Sequence, residues 1–512
     1  MKSDYEKLFK VARHARILEG ISSHLGWDQE TYMPPGSALI RAEQFETMAG
    51  LIHRARTGKK FGHALEKLID LNTGALLSEQ LSDSQKAALK EWRRDYLHQT
   101  ALPVSFVEEF AKLTSQAQSV WRTAKEKSDF SAFLPYLKKI ISLSRKKADL
   151  LGYQEHPYDA LLDEYEPGMK ASTVTHLFSQ IATALRPLIT RASACKIKDD
   201  FLKGPWDREK QIAFAKEMLT AIGFDFNYGR LDFSSHPFSS ASHPTDSRIT
   251  TRMHTTHLMD PILVILHEGG HGLYEMGLPK EEYGTPLGEA RSLGIHESQS
   301  RWWETRIGLS LPFWTYFFPK LKELFKQELK DVGLHDFYRA IHKVSPSFIR
   351  VEADELTYPM HVVLRFELEK QLIEGTLKPK EIPEAWNAKM KEYLGITPPT
   401  DREGCLQDIH WSMGGFGYFP TYTLGNIYAA HLFTSFSSTF PDWTAKVAKG
   451  DLGFIRNWLH ENIYRHGKRY SIDELLKQAT NGRELTVQPY IGYLSQKYEK
   501  LQTVNTTHTK QQ

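Results

Sequence analysis

The sequence predicts a mainly α-helical fold. Two observations carry that expectation. Apolar residues recur at helical spacing through the first two hundred residues, and helical patterning resumes from Asp260 to near the end. Alternating apolar–polar runs are scarce, and neither a fixed-period repeat nor a low-complexity segment interrupts the pattern. A short loop-rich stretch, Gly229 to Arg252, is the exception.

The elements follow in order. "EKLFKVARHARILEGISSHLGW" places Leu8, Val11, Ala12, Ile17, Leu18, Ile21 and Leu25 at helical spacing. "WDQETYMPPG" ends that helix, with Pro34-Pro35-Gly36 as the stop. "ALIRAEQFETMAGLIHRAR" and "DSQKAALKEWRRDYLHQTALP" read as amphipathic helices, the second capped by Ser82 or Asp83. The run from Pro103 to Gly152 reads as two more. In the exceptional stretch, Ser, Pro and His turns precede a β-branched run, Ile249-Thr250-Thr251. A small sheet or hairpin is expected there, beside the helix that follows. The polar end "TVNTTHTKQQ" is expected to fray.

Bulk properties narrow the function classes. A chain of 512 residues can bury a large core, and by length alone can hold three domains. Its net charge of +3 is spread over the sequence, which argues against nucleic acid or an anionic membrane as partner. Two cysteines, Cys195 and Cys405, permit at most one disulfide, so a reducing compartment is expected. The start lacks the apolar core of a signal peptide, and no apolar run reaches the ~18 residues that span a bilayer. The expected location is the cytoplasm.

The stretch "LHEGGHGLYE", Leu266 to Glu275, carries the chemistry. His267 and His271 are four apart, so on a helix they stand one above the other and can hold a single Zn²⁺. Glu268 lies about 100° round the helix, placed to act on a metal-bound water as general base. Three glycines within four residues cost roughly 1 kcal/mol each in helix propensity. Such a concentration implies close packing: another helix behind Gly269, and substrate or metal-site groups beside Gly270. The preceding apolar run Ile262–Leu266 marks the helix as buried, and buried imidazoles need partners.

A catalytic zinc needs a third protein ligand and one open position. "GEARSLGIHESQSRWWE" offers Glu289, His296 and Glu297. Glu297 shares a face with Leu293 and Arg301, and His296 shares one with Ser292 and Ser300; spacing does not choose between them. Tyr422 and His410 are candidates to stabilise the oxyanion. Arg350 is the candidate anchor for a substrate carboxylate, because its planar fork can hold one in two hydrogen bonds, with His236 assisting. The acids of "IRVEADE" are expected to hold Arg350 in place, and Arg248 is expected to pair with acids nearby.

These residues resemble the carboxypeptidase Taq family of zinc metallocarboxypeptidases. "HEGGH" and the later "HESQ" (296–299) match it, as do "HPF" (236–238), "DSRIT" (246–250), "IRVEADELTY" (349–358) and "GCLQDIHW" (404–411). "WDQETYMPPG" and "GGFGYFPTYTLGN" (414–426) also look like family stretches, so the resemblance runs along nearly the whole chain. It implies that Glu297 is the third zinc ligand. It implies one large, almost all-helical domain over 1–505 with a polar tail at 506–512. A deep substrate groove is implied too, like that of neurolysin and angiotensin-converting enzyme. It further implies a homodimer that releases C-terminal residues from peptides with broad preference, using Zn²⁺ with Co²⁺ as a possible substitute. "MHTTHLMD" (253–260) and "HPFSSASHPTD" (236–246) depart from the family pattern and bear on substrate preference.

Overall fold

The computed structural model describes residues 2–234, 237–252 and 255–508. Its first helix spans Lys2–Thr31 and ends just before Pro34. Leu8, Ala12 and Ala15 lie within about 60° of one another around that helix and are fully buried. Ile17 and Ile21 point nearly opposite and are 44% and 46% exposed, so only part of the apolar pattern marks the inward face. Ala38–Thr57 and Lys59–Glu66 follow. The helix Asp83–Ala101 opens on a capping box: Ser82 Oγ accepts from Gln85 N, and Gln85 Oε1 accepts from Ser82 N. Ser82, not Asp83, is therefore the cap. Leu8, Phe61, Leu65, Leu89 and Trp92 close a small core among these helices.

Residues 103–152 form two helices as read, Val104–Lys127 and Phe130–Leu151. A second, much larger core runs continuously from there through the rest of the single domain. Its central members include Trp302, Trp314, Trp386, Tyr428 and Tyr490. The last helix, Gln488–His508, carries helical backbone into the polar tail.

The stretch after Gly229 forms three strands: β1 (Gly229–Phe233), β2 (Ser239–His243) and β3 (Asp246–Thr251). β3 is central, antiparallel to β2 and parallel to β1. This sheet contacts both the first helix and the HEGGH helix, Met259–Gly277. Ser23 Oγ meets Ser240 Oγ at 2.8 Å, and Trp27 of the first helix stacks under both Arg230 and Arg248. Arg248 pairs with Asp246, as expected. The helix Leu293–Arg301 packs on the HEGGH helix, and the helix Pro420–Thr439 packs along Leu293–Arg301 in turn.

Candidate metal centre and active site

The HEGGH helix is buried because Ile262, Ile265, Leu266, Leu273 and Tyr274 all face the core. Its glycines let three neighbours approach. A Cβ on Gly269 would stand 2.7 Å from Leu219 and 3.1 Å from Ile222, on the helix Arg208–Ile222 behind it. A Cβ on Gly270 would meet the backbone of Gln299 at 2.5 Å. Gly272 makes room for Phe224 and Ile249 of β3. The helix carrying Glu297 thus touches the HEGGH helix backbone to backbone.

That contact brings His267, His271 and Glu297 together. One donor atom from each lies within 4.8 Å of the others, and each Nε2 is 3.5 Å from Glu297 Oε2. Ser300 Oγ sits 3.0 Å from the same carboxylate oxygen. Glu297 Oε1 is buried without a hydrogen-bond partner among the described residues, and so is Glu268 Oε2. Two imidazoles, one carboxylate and unspent acceptors fit a divalent cation with an open position. Gly425 of the Pro420–Thr439 helix leaves space for Glu297: a Cβ there would lie 2.5 Å from Glu297 Cγ.

Electrostatics suits the same division of labour. Burial raises Glu297, but His267 and His271 outweigh it and hold the carboxyl down to about 2. Glu268, on the same helix, is pushed up to about 7, mainly by burial. A carboxylate whose proton affinity sits near neutrality can take and return a proton.

The residues behind His267 were not singled out from sequence. Glu304 Oε2 bonds His267 Nδ1 at 2.8 Å and is itself held by Arg301 Nη1 at 2.7 Å. Arg301 Nε in turn bonds Asn426. Glu304 lies seven residues after Glu297, two helical turns on, so its spacing carried a usable signal. A π-helical turn, Trp302–Ile307, shapes this stretch. Two other ligand candidates go elsewhere. His296 stands behind His271, and Glu289 pairs with Lys468 and Arg56.

A second polar cluster holds the remaining candidates. Arg350 is buried and donates from Nε and Nη2 to Asp408 Oδ1, at 3.2 and 2.9 Å, and from Nη1 to Tyr358 Oη. The acids of its own run do not hold it. Asp354 instead accepts from the backbone of Ser345, Leu356 and Thr357. Asp408 also binds Arg365, at 2.7 Å through Nε, so two guanidiniums share one carboxylate. The Arg350 guanidinium lies 4.7 Å from the Tyr422 ring, and Tyr422 Oη is 3.1 Å from His410 Nε2. Burial drives the Tyr422 hydroxyl upward and His410 down to about 3, so the phenol keeps its proton and the imidazole stays neutral. Tyr418 packs on both rings. Tyr422 lies one turn before Gly425, on the helix face that meets Glu297. The structure therefore brings Arg350, His410 and Tyr422 into one cluster beside the ligand set, while His236 lies outside the described residues.

Residues 7–498 match the carboxypeptidase Taq (M32) metallopeptidase family. The chain is 40% identical to thermostable carboxypeptidase 1 of Thermus thermophilus over 509 residues, covering 97% of this chain and 98% of the relative. It is 39% identical to carboxypeptidase 1 of Bacillus subtilis, covering 97% and 98%. Among solved structures, the M32 carboxypeptidase of Deinococcus radiodurans R1 superposes with a TM-score of 0.94 at 37% identity, covering 98% of this chain and 99% of that one. From sequence, fold and the paired-histidine site together, this chain belongs to the carboxypeptidase Taq (M32) metallopeptidases and is a peptide hydrolase.

Proposed function

We propose that the chain is a zinc metallocarboxypeptidase that removes C-terminal residues from peptides with broad preference. The convergence of His267, His271 and Glu297 beside the buried carboxylate of Glu268, whose Oε2 has no hydrogen-bond partner among the described residues, carries the reading. These three residues would hold the ion, zinc or cobalt. Once bound, it would acidify a water and polarise the scissile carbonyl. Glu268 accepts a proton from the attacking water and returns it to the leaving amine nitrogen. Tyr422 Oη, with His410 behind it, donates to the oxygen that gains charge.

The exopeptidase character rests on Arg350. Among the described residues Asp408 and Tyr358 occupy only part of its guanidinium, leaving N–H groups on Nη1 and Nη2 to fork onto a carboxylate. Two arginines against one aspartate leave the cluster one positive charge in excess. An anchor for the C-terminal carboxylate next to the oxyanion donor is the arrangement that cleaving the last peptide bond requires. His236 is proposed to assist, substrate to lie in a groove along this face, and the chain to pair as a homodimer. The catalytic domain is proposed to cover 1–505, with 506–512 as tail.

Two free thiols are consistent with a cytoplasmic setting, and no described helix is long and apolar enough to cross a membrane. A digest of one long peptide tests the reading. Stepwise loss of C-terminal residues is expected, abolished by chelation and restored by Zn²⁺ or Co²⁺. Internal cuts, or full activity in protein shown to be free of metal, would overturn it.

A further inference from the structure

The two histidines at the metal centre are backed differently. His267 Nδ1 meets a carboxylate directly, that of Glu304. His271 Nδ1 meets another imidazole: His296 Nδ1 lies 2.6 Å away. His296 Nε2 is in turn 2.8 Å from Glu275 Oε1. The Tyr274 ring packs on the His296 ring, with centroids 5.1 Å apart, and fixes its plane.

From this geometry we propose that His296 is the positioning residue that fixes the tautomer and orientation of His271, with Glu275 setting the direction of the relay. With His271 Nε2 kept bare for a cation, hydrogen-bond directions leave one consistent arrangement of the two neutral imidazoles. His271 turns Nε2 toward Glu297, where the cation would sit, so its proton is on Nδ1. That proton is donated to His296 Nδ1, which must be bare. His296 therefore carries its own proton on Nε2 and donates it to Glu275. Without Glu275, His296 is free to protonate Nδ1 instead, and two N–H groups then face each other across 2.6 Å. A carboxylate in place of His296 would add a second negative charge behind the ligand pair. An imidazole transmits the acceptor without placing that charge against His271.

The inference rests on the proposed metal site, and its test separates the two. Zn²⁺ affinity of the full chain is measured by competition with a chelator, together with the absorption of the Co²⁺ form. His296→Phe keeps ring packing but removes the acceptor; Zn²⁺ binding is expected to weaken about 10–100-fold and the Co²⁺ spectrum to change. His296→Asn sets a carbonyl oxygen near the position of Nδ1 and should restore part of the loss. Affinity within twofold of the parent in His296→Phe would overturn the relay. Should His296→Phe not fold, Glu275→Ala cuts the chain at its far end; severalfold weaker binding supports the proposal, and unchanged binding overturns it. His271→Ala is the control for the site itself: parental affinity there would remove the metal-site reading, whatever His296 does.

Discussion

Glu268 and its two histidines were legible because a pentapeptide on one helix needs only the 3.6-residue period to place its side chains. Their function is tested most directly by Glu268→Gln. The amide keeps the shape but cannot accept a proton, so turnover is expected to fall on the order of 10²-fold or more with metal content unchanged. Near-parental kcat would remove Glu268 as the base. Arg350 was legible as a candidate carboxylate fork, but its holder was not, because Asp408 lies 58 positions away in sequence. No local pattern signals such a pair. The expected behaviour of Arg350→Ala follows from the free N–H groups: kcat/KM drops by several kcal/mol of transition-state binding for free-acid peptides and far less for C-terminal amides. Lysine should recover only part, since a point charge lacks the fork. Equal losses on acid and amide would assign Arg350 to the fold.

At the level of elements, helices were readable and their neighbours were not. The apolar pattern of the first helix includes Ile17 and Ile21, which face outward, because two apolar stripes share one helix and periodicity does not say which is covered. The β-branched run announced a strand at β3. Its parallel partner β1 went unforeseen, since that pairing joins segments separated by β2. Glycine density, by contrast, gave a correct account of packing: the expected helix behind Gly269 is Arg208–Ile222. Gly269→Leu improves helix propensity by up to about 1 kcal/mol, yet must displace Leu219 and Ile222 at an overpacking cost of roughly 1–3 kcal/mol. A lower melting temperature is expected; a higher one would mean the space can open without cost.

Across the whole molecule, the main core was foreseeable from composition and length, whereas the charge network tying the N-terminal helices to the rest was not. Glu289 joins Lys468 at 2.8 Å and Arg56 at 3.6 Å, and Arg56 also grips Glu19 of the first helix. Burial raises the Glu289 carboxyl, but Lys468, Arg16 and Arg56 prevail and hold it down to about 2. A carboxyl depressed on folding stabilises above its unfolded value, ~4.5, and that stabilisation fades as pH falls from there toward about 2. Glu289→Gln should therefore melt well below the parent at pH 7, with the gap narrowing below pH ~4.5. A gap independent of pH would assign the loss to shape and not to charge.

The joint at Gly270 has a consequence for heating. Main chain rests on main chain between the two helices that carry the proposed ligands, and the flank of Glu297 rests on Gly425. Main-chain contacts have no rotamers to redistribute, so the joint acts as a gauge block: it keeps one width until the helices part. Such a centre does not loosen by degrees. Ion release, followed with a colorimetric chelator, and the loss of helical ellipticity are expected to share one midpoint, as two readings of a single mechanical failure.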